Sequence, residues 1–128
     1  MISAAEFRKL QQSFLVTKED EFITRFKKAT EVYESILIKE SESAIMAAQQ
    51  MVTNQILLNY IPLTQSIDGF YYATMLYGIW KGENLFQKYN ITPPFERAVK
   101  ELDRFGYRLE NVSDPNKSNH LYLKLTWG

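Results

Sequence analysis

The stretch of the sequence that most constrains the fold is residues 18–61, which contains neither Gly nor Pro. Apolar residues recur through it three or four positions apart, a spacing that predicts an amphipathic helix of about 30 residues. They are Phe22, Phe26, Ala29, Tyr33, Ile36 and Leu37, then Ala44, Ile45, Ala48, Met51 and Val52. Such a helix is long for a small domain, so it either spans the domain or projects from it. Polar residues 39–43 predict a bend, or a turn that is solvated all round.

A separate short helix is expected before this one. Ser3 and Glu6 form a capping box, which predicts a helix from Ala4 to Phe14 or Leu15. The segment 17–20, beginning with Thr17, repeats the pattern and predicts the start of the second helix. Over residues 44–52 the apolar surface becomes wide, and a helix that is apolar on most sides needs cover on most sides.

The middle of the chain predicts short elements. Residues 56–62 are an apolar run that ends at Pro62, which favours a strand. Residues 66–69 have turn chemistry. Residues 70–77, FYYATMLY, predict a strand, with a short buried helix as the alternative, because periodicity does not separate the two in so short a run. Residues 79–90 predict a connection with one helical turn near Leu85 and Phe86.

The last third predicts a helix followed by a β-hairpin. Thr92 is the expected cap and Pro93 the first helical residue, and Gly106 supplies a left-handed end. The apolar face of this helix is Phe95, Ala98, Val99, Leu102 and Phe105. Strands are expected at 107–112 and 120–127, with a polar turn at 113–119; in the second strand Leu121, Leu123, Leu125 and Trp127 share one face. The fold class is α+β: long N-terminal helices on a small antiparallel sheet, with a C-terminal helix and hairpin.

Composition excludes several classes of protein. The length of 128 residues fits a single domain, 1–128. Fifteen basic and fifteen acidic residues balance, which argues against a nucleic-acid partner bound through phosphates. There is no Cys, no signal-peptide pattern at the N-terminus and no apolar run of the ~18 residues that span a bilayer. A cytoplasmic protein without a membrane partner is therefore expected.

Chemistry-bearing motifs are missing from the sequence. The one histidine, His120, does not make a metal site by itself, and no nucleophile elbow, phosphate loop or HExxH motif occurs. We expect no catalytic residue, no metal and no cofactor, hence not an enzyme. A small enzyme with an unfamiliar site is the alternative.

Clustered aromatic residues mark the one candidate site. Tyr71, Tyr77, Trp80 and Lys81 lie close together in the sequence, and we predict that they bind a ligand or form an interface. Burial in the core of the monomer, a subunit interface and a pocket for a stacking ligand are the three interpretations. A homo-oligomer would cover both this surface and residues 44–52.

The run from Phe95 to Leu109, FERAVKELDRFGYRL, and the final LYLKLTW from Leu121 to Trp127 resemble small bacteriophage-encoded accessory proteins. The resemblance covers about residues 30–128, in the order long helix, aromatic segment, helix, Gly-Tyr, strand, turn and strand. It implies binding of host factors or signalling nucleotides in the host cytoplasm and assigns no functional residue.

The leading hypothesis is therefore a non-enzymatic binding protein, a phage accessory protein for host interaction or anti-defence. It would bind a host protein or a small ligand stoichiometrically as a homo-oligomer. The alternative is a structural or assembly component of a virion.

Overall fold

One helix, α1, runs without interruption from Ala4 to Ala48 in the computed structural model, which describes residues 1–113 and 120–128. At 1.5 Å per residue it is about 67 Å long. Its N-terminus is capped as predicted, because Ser3 Oγ accepts a hydrogen bond from the Glu6 N–H at 3.2 Å. The overall fold is α+β, as expected from the sequence.

The predicted break near Thr17 is wrong. Thr17 Oγ1 donates to the carbonyl of Ser13 at 3.0 Å, in the preceding turn of α1, so this residue lies inside the helix rather than capping a second one. A threonine hydroxyl can cap a new helix or bond to the preceding turn of the same helix, so the local sequence does not distinguish the two. The two expected N-terminal helices are therefore one.

The polar segment 39–43 is neither a bend nor a solvated turn. Ser41 is fully buried, and its hydroxyl donates to the Leu37 carbonyl at 2.8 Å. Because this bond satisfies the hydroxyl within the helix, a serine is tolerated on the buried face. α1 ends at Ala48, so Met51 and Val52 lie beyond the helix, where both are exposed.

Three antiparallel strands form the main sheet, in the order β1 (Gln55–Pro62), β7 (His120–Trp127) and β6 (Tyr107–Asn111). The three strands predicted from the sequence are confirmed within a residue at each end. β7 is central: Leu58 pairs with Leu123 on one side, and Leu109 pairs with Leu125 on the other. The register between β1 and β7 shifts between Leu58 and Ile61.

The face of the sheet toward the helices carries the core leucines. Leu58, Leu109, Leu123 and Leu125 are buried there, which confirms the predicted alternation for the described part of β7. The side chain of Leu121 and most of the predicted polar turn, residues 114–119, lie outside the described residues.

The middle of the chain is made of very short elements: the hairpin β2 (Ser66–Ile67) and β3 (Phe70–Tyr71), helix α2 (Tyr72–Tyr77), the hairpin β4 (Ile79–Trp80) and β5 (Glu83–Asn84), and helix α3 (Leu85–Lys88). The turn residues Asp68 and Lys81 have positive φ, as does the glycine after each of them, which suits tight two-residue hairpins. The helical turn expected near Leu85 is confirmed.

The strand predicted for 70–77 is wrong beyond Tyr71, and the alternative of a short buried helix is right. In α2, Tyr72 and Met75 lie one turn apart and both enter the core, whereas a strand would have placed them on opposite faces. α2 ends at Gly78, whose φ of 75° terminates the helix in the left-handed region.

The C-terminal helix α4 extends from Pro94 to Asp103. The expected cap at Thr92 is wrong by one position, since Pro93 occupies it and makes no side-chain cap bond. Ala98 and Leu102 are buried, as the predicted stripe requires. Phe105 lies beyond the end of α4, so it does not belong to the buried face of that helix and is exposed.

Aromatic rings join α1 to the middle segment. Phe26 packs edge-on against Phe70, with ring centroids 5.4 Å apart, and also contacts Phe86. Arg25 reinforces this junction: its Nε donates to Asp68 Oδ2 at 3.0 Å and its Nη2 donates to the Asp68 carbonyl at 2.8 Å. The C-terminal half of α1 is thus held by the middle segment, α4 and the sheet.

Candidate functional site

The two predicted tyrosines lie at opposite ends of α2. Tyr71 immediately precedes the helix and is 56% exposed, and Tyr77 is its last residue and is 49% exposed. They are six positions apart in the chain, or about 9 Å along the helix axis. Both side chains are exposed and so are accessible to a partner.

Trp80 and Lys81 form a closer pair. The Trp80 ring is half-buried, 5.1 Å from the Phe70 centroid and 6.0 Å from that of Phe22, so it closes one end of the aromatic core. The Lys81 ammonium lies 5.8 Å from the Trp80 ring centroid, within cation–π range. Of the four predicted site residues, the structure therefore brings Trp80 and Lys81 into contact and exposes Tyr71 and Tyr77 nearby.

Behind this surface lies a buried tyrosine pair. The rings of Tyr33 on α1 and Tyr72 on α2 are 5.1 Å apart, and the Tyr33 hydroxyl is buried without a hydrogen-bond partner. Burial raises the pKa of Tyr33 well above its usual value, and the neighbouring Tyr72 and Tyr77 raise it further. Burial also raises the pKa of Tyr72, with a smaller contribution from Glu40. These phenols are therefore core groups held in the protonated form.

The N-terminal part of α1 carries an exposed surface that was not predicted from the sequence. Every residue from 1 to 21 is exposed. Phe7, Leu10 and Phe14 recur at i, i+3 and i+7, so they form one line on the helix, which we call the N-terminal stripe. The spacing was visible in the sequence, but the exposure of these side chains is seen only in the structure, where Lys18 Nζ lies 5.6 Å from the Phe14 ring centroid and all three residues are more than half exposed.

A second apolar surface lies where the C-terminal part of α1 meets the end of α4. We call it the α1/α4 groove, and its volume is about 350 Å³. It is lined by Ile38, Glu42, Ile45, Met46, Glu101, Leu102, Phe105 and Tyr107. Met46 and Phe105 are 68% and 70% exposed, whereas Leu102 is buried. The groove thus has an apolar floor, two exposed apolar walls and carboxylates at its rim.

A half-buried ion pair also links these helices. Arg97 Nε on α4 lies 3.3 Å from Glu34 Oε2 on α1. The two atoms are not aligned for a hydrogen bond, and Arg97 Nε and Nη2 are otherwise buried without a partner. This pair joins α4 to α1 by charge attraction.

Two further observations concern metals and membranes. Among residues 1–113 and 120–128, no three His, Asp or Glu side chains are placed to hold a metal ion. No helix in the same part of the chain is both long enough and apolar enough to cross a bilayer.

Comparison of the chain with protein-family models, with curated proteins and with solved structures gave no match.

Proposed function

We propose that this chain is a non-enzymatic binding protein that works as a homo-oligomer, assembled through the exposed surfaces of α1. The observation that carries the proposal is the N-terminal part of α1, residues 4–21, about 27 Å of helix in which every residue is exposed. A helix gains most of its stability by packing an apolar face, so an unpacked apolar stripe favours a partner.

The predicted surface of Tyr71, Tyr77, Trp80 and Lys81 is the proposed site for the bound partner. Tyrosine and tryptophan are enriched among residues that contact other molecules, and here Tyr71 and Tyr77 are exposed and Trp80 is partly exposed. A role as a bacteriophage accessory protein that binds a host protein or a small ligand remains a prediction, supported by the sequence resemblance alone.

Native mass spectrometry of the purified chain at micromolar concentration tests the proposal. The expected result is a defined oligomer, with a mass that is a multiple of 15.0 kDa. A protein that stays monomeric at every concentration up to about 100 μM would overturn it.

Intrinsic fluorescence tests the binding surface separately. Trp80 is half-exposed beside Lys81, so a nucleotide stacked on it is expected to quench its emission. A panel of nucleoside mono- and triphosphates would be titrated into the wild type and into Trp80→Phe, which retains Trp127 as a control fluorophore. Quenching that is equal in both proteins would remove this surface from the proposal for small ligands, and the search would turn to a protein partner.

A further inference from the structure

The N-terminal stripe and the α1/α4 groove lie on one repeating frame along α1. Ile38 and Ile45 lie at multiples of seven residues after Leu10. Phe14 and Glu42 lie at multiples of seven residues after Phe7. A seven-residue repeat is the frame along which two helices pack side by side. The frame thus carries Phe7, Leu10 and Phe14 at one end, and Ile38 and Ile45 with Glu42 between them at the other.

Between these two ends the same frame is polar. Its positions are Thr17, Glu21, Thr24, Lys28, Glu31 and Ser35. A parallel pair of α1 helices would bring each apolar end against its equivalent, whereas an antiparallel pair brings the stripe of one copy against the groove of the other. In the parallel and in the antiparallel pair alike, the polar positions in the middle of α1 would remain hydrated.

The stripe cannot fill the groove of its own chain. Phe14 and Ile38 are separated by 24 residues of unbroken helix, or about 36 Å. Because α1 is one continuous helix, its N-terminal half cannot turn back and pack on its C-terminal half. A stripe that docks in this groove must therefore belong to another molecule.

We infer that the N-terminal stripe of each chain docks in the α1/α4 groove of a second copy, in a two-fold dimer with antiparallel α1 helices. This inference rests on the proposed homo-oligomer. With Phe7 opposite Ile45, the antiparallel frame puts Phe14 opposite Ile38, so the stripe and the groove match in length, at about 10 Å each.

The charges beside the two surfaces are complementary. Arg8 and Lys9 flank the stripe, and Glu42 and Glu101 are at the rim of the groove. Glu101 also pairs with Arg104 in its own helix, whereas Glu42 has no ion-pair partner among the described residues. Attraction between these groups favours docking of the stripe over stacking of one stripe on another.

The area also favours stripe-in-groove contact. Each stripe residue is more than half exposed, so a stripe offers about 300 Å² of apolar surface to a partner. Pairing two stripes buries about 600 Å² in total, which is the size of a crystal contact. Two stripes in two grooves bury about 1,200 Å², which reaches the lower limit of specific interfaces.

Complementation by two charge variants tests the inference. Leu10→Glu damages the stripe and Met46→Lys damages the groove, and both residues are more than half exposed, so the fold should survive. Val16→Glu is the matched control, because Val16 is as exposed as Leu10 but lies outside the packing frame. Sedimentation velocity at 1–100 μM would follow each variant alone and the equimolar mixture, with circular dichroism to verify folding.

The expected result is that the wild type and Val16→Glu are dimers, and that each charge variant alone dissociates at least tenfold more readily. In the mixture a heterodimer forms, because one of its two stripe–groove contacts is native and the other places the new Glu beside the new Lys. A Met46→Lys variant that dimerises like the wild type, or a mixture that stays monomeric, would overturn docking in the groove while leaving homo-oligomerisation intact. A monomeric wild type would overturn the proposed function as well.

Discussion

Gly78 and Phe86 are packed so closely that a Cβ atom at position 78 would lie 2.4 Å from Cδ2 of the Phe86 ring. The φ of 75° at Gly78 is also unfavourable for any residue with a side chain. The join between α2 and the β4–β5 hairpin therefore depends on this glycine for two separate reasons.

Gly78→Ala is accordingly expected to destabilise the protein by about 2–4 kcal/mol, through overpacking against Phe86 and strain in the left-handed region. Gly82→Ala is the matched control: φ is 82° there but no atom lies within 4 Å of the added Cβ, so only the conformational part of about 1 kcal/mol is expected. Urea unfolding monitored by circular dichroism gives both values. Equal losses in the two variants would mean that the Phe86 contact contributes nothing.

Replacing Tyr33 with Phe is expected to raise the free energy of unfolding by about 1 kcal/mol, because the hydroxyl is buried without a hydrogen-bond partner. The same change at the exposed Tyr77 should alter stability by less than about 0.5 kcal/mol. Chemical denaturation compares the two variants. A clear loss of stability in Tyr33→Phe would indicate that the hydroxyl has a partner, such as a buried water molecule.

The raised pKa of Tyr33 also predicts that the protein loses stability at alkaline pH. Burial holds the pKa of Tyr33 in the folded protein above the usual value of 10.0, which applies in the unfolded chain. Below pH 10 both states keep the proton, so the contribution is constant. Above pH 10 the unfolded chain releases the proton while the folded chain retains it, and stability falls by up to about 1.4 kcal/mol per pH unit.

Urea denaturation at several pH values between 9 and 11 measures how steeply the free energy of unfolding falls with pH. Tyr72 acts in the same direction, since its pKa is also raised. Tyr33→Phe should therefore have a shallower slope than the wild type. Identical slopes in the two proteins would exclude Tyr33 as the titrating group.

Removal of residues 1–16 is expected to leave the stability of the monomer within about 0.5 kcal/mol of the full chain, because these residues are all exposed. The dependence of the melting temperature on protein concentration, which a homo-oligomer requires, should disappear at the same time. Differential scanning calorimetry at two concentrations tests both statements. A large drop in the melting temperature of the dilute truncated protein would place tertiary contacts in the removed segment.

The ion pair of Arg25 with Asp68 is expected to contribute modestly, since both side chains are about half exposed. A double-mutant cycle with Arg25→Ala and Asp68→Asn should give a coupling of about 0.5 kcal/mol that decreases with added salt. Asparagine is the conservative choice at position 68 because it tolerates the positive φ found there. A coupling near zero, with Arg25→Ala still destabilising, would mean that Arg25 acts through its bond to the Asp68 carbonyl, which Asp68→Asn retains.

Regular elements with a clear period were predictable from the sequence. The alternation of Leu123 and Leu125 in β7, and the spacing of Ala98 and Leu102 in α4, determine which face is buried. The predictions were wrong where one residue type satisfies two structures: Thr17 caps a helix or bonds within one, and FYYATMLY is apolar on every side in either conformation.

The candidate surfaces were less predictable than the fold. The spacing of Phe7, Leu10 and Phe14 is equally compatible with a buried or an exposed helix face, because burial depends on what packs against it. The α1/α4 groove combines Ile38 with Phe105, two residues far apart in the chain. Tyr71, Tyr77, Trp80 and Lys81, by contrast, are close together in the sequence and aromatic enough to suggest a site locally.

The pairing of β1 with β7 also sets the order of events during synthesis. β1 leaves the ribosome about 60 residues before the strand that pairs with it, a delay of roughly 3–12 s at ordinary rates of translation. Until then β1 has no strand to pair with, because β7 is its neighbour in the main sheet. The main sheet can therefore close only once the central strand has been made.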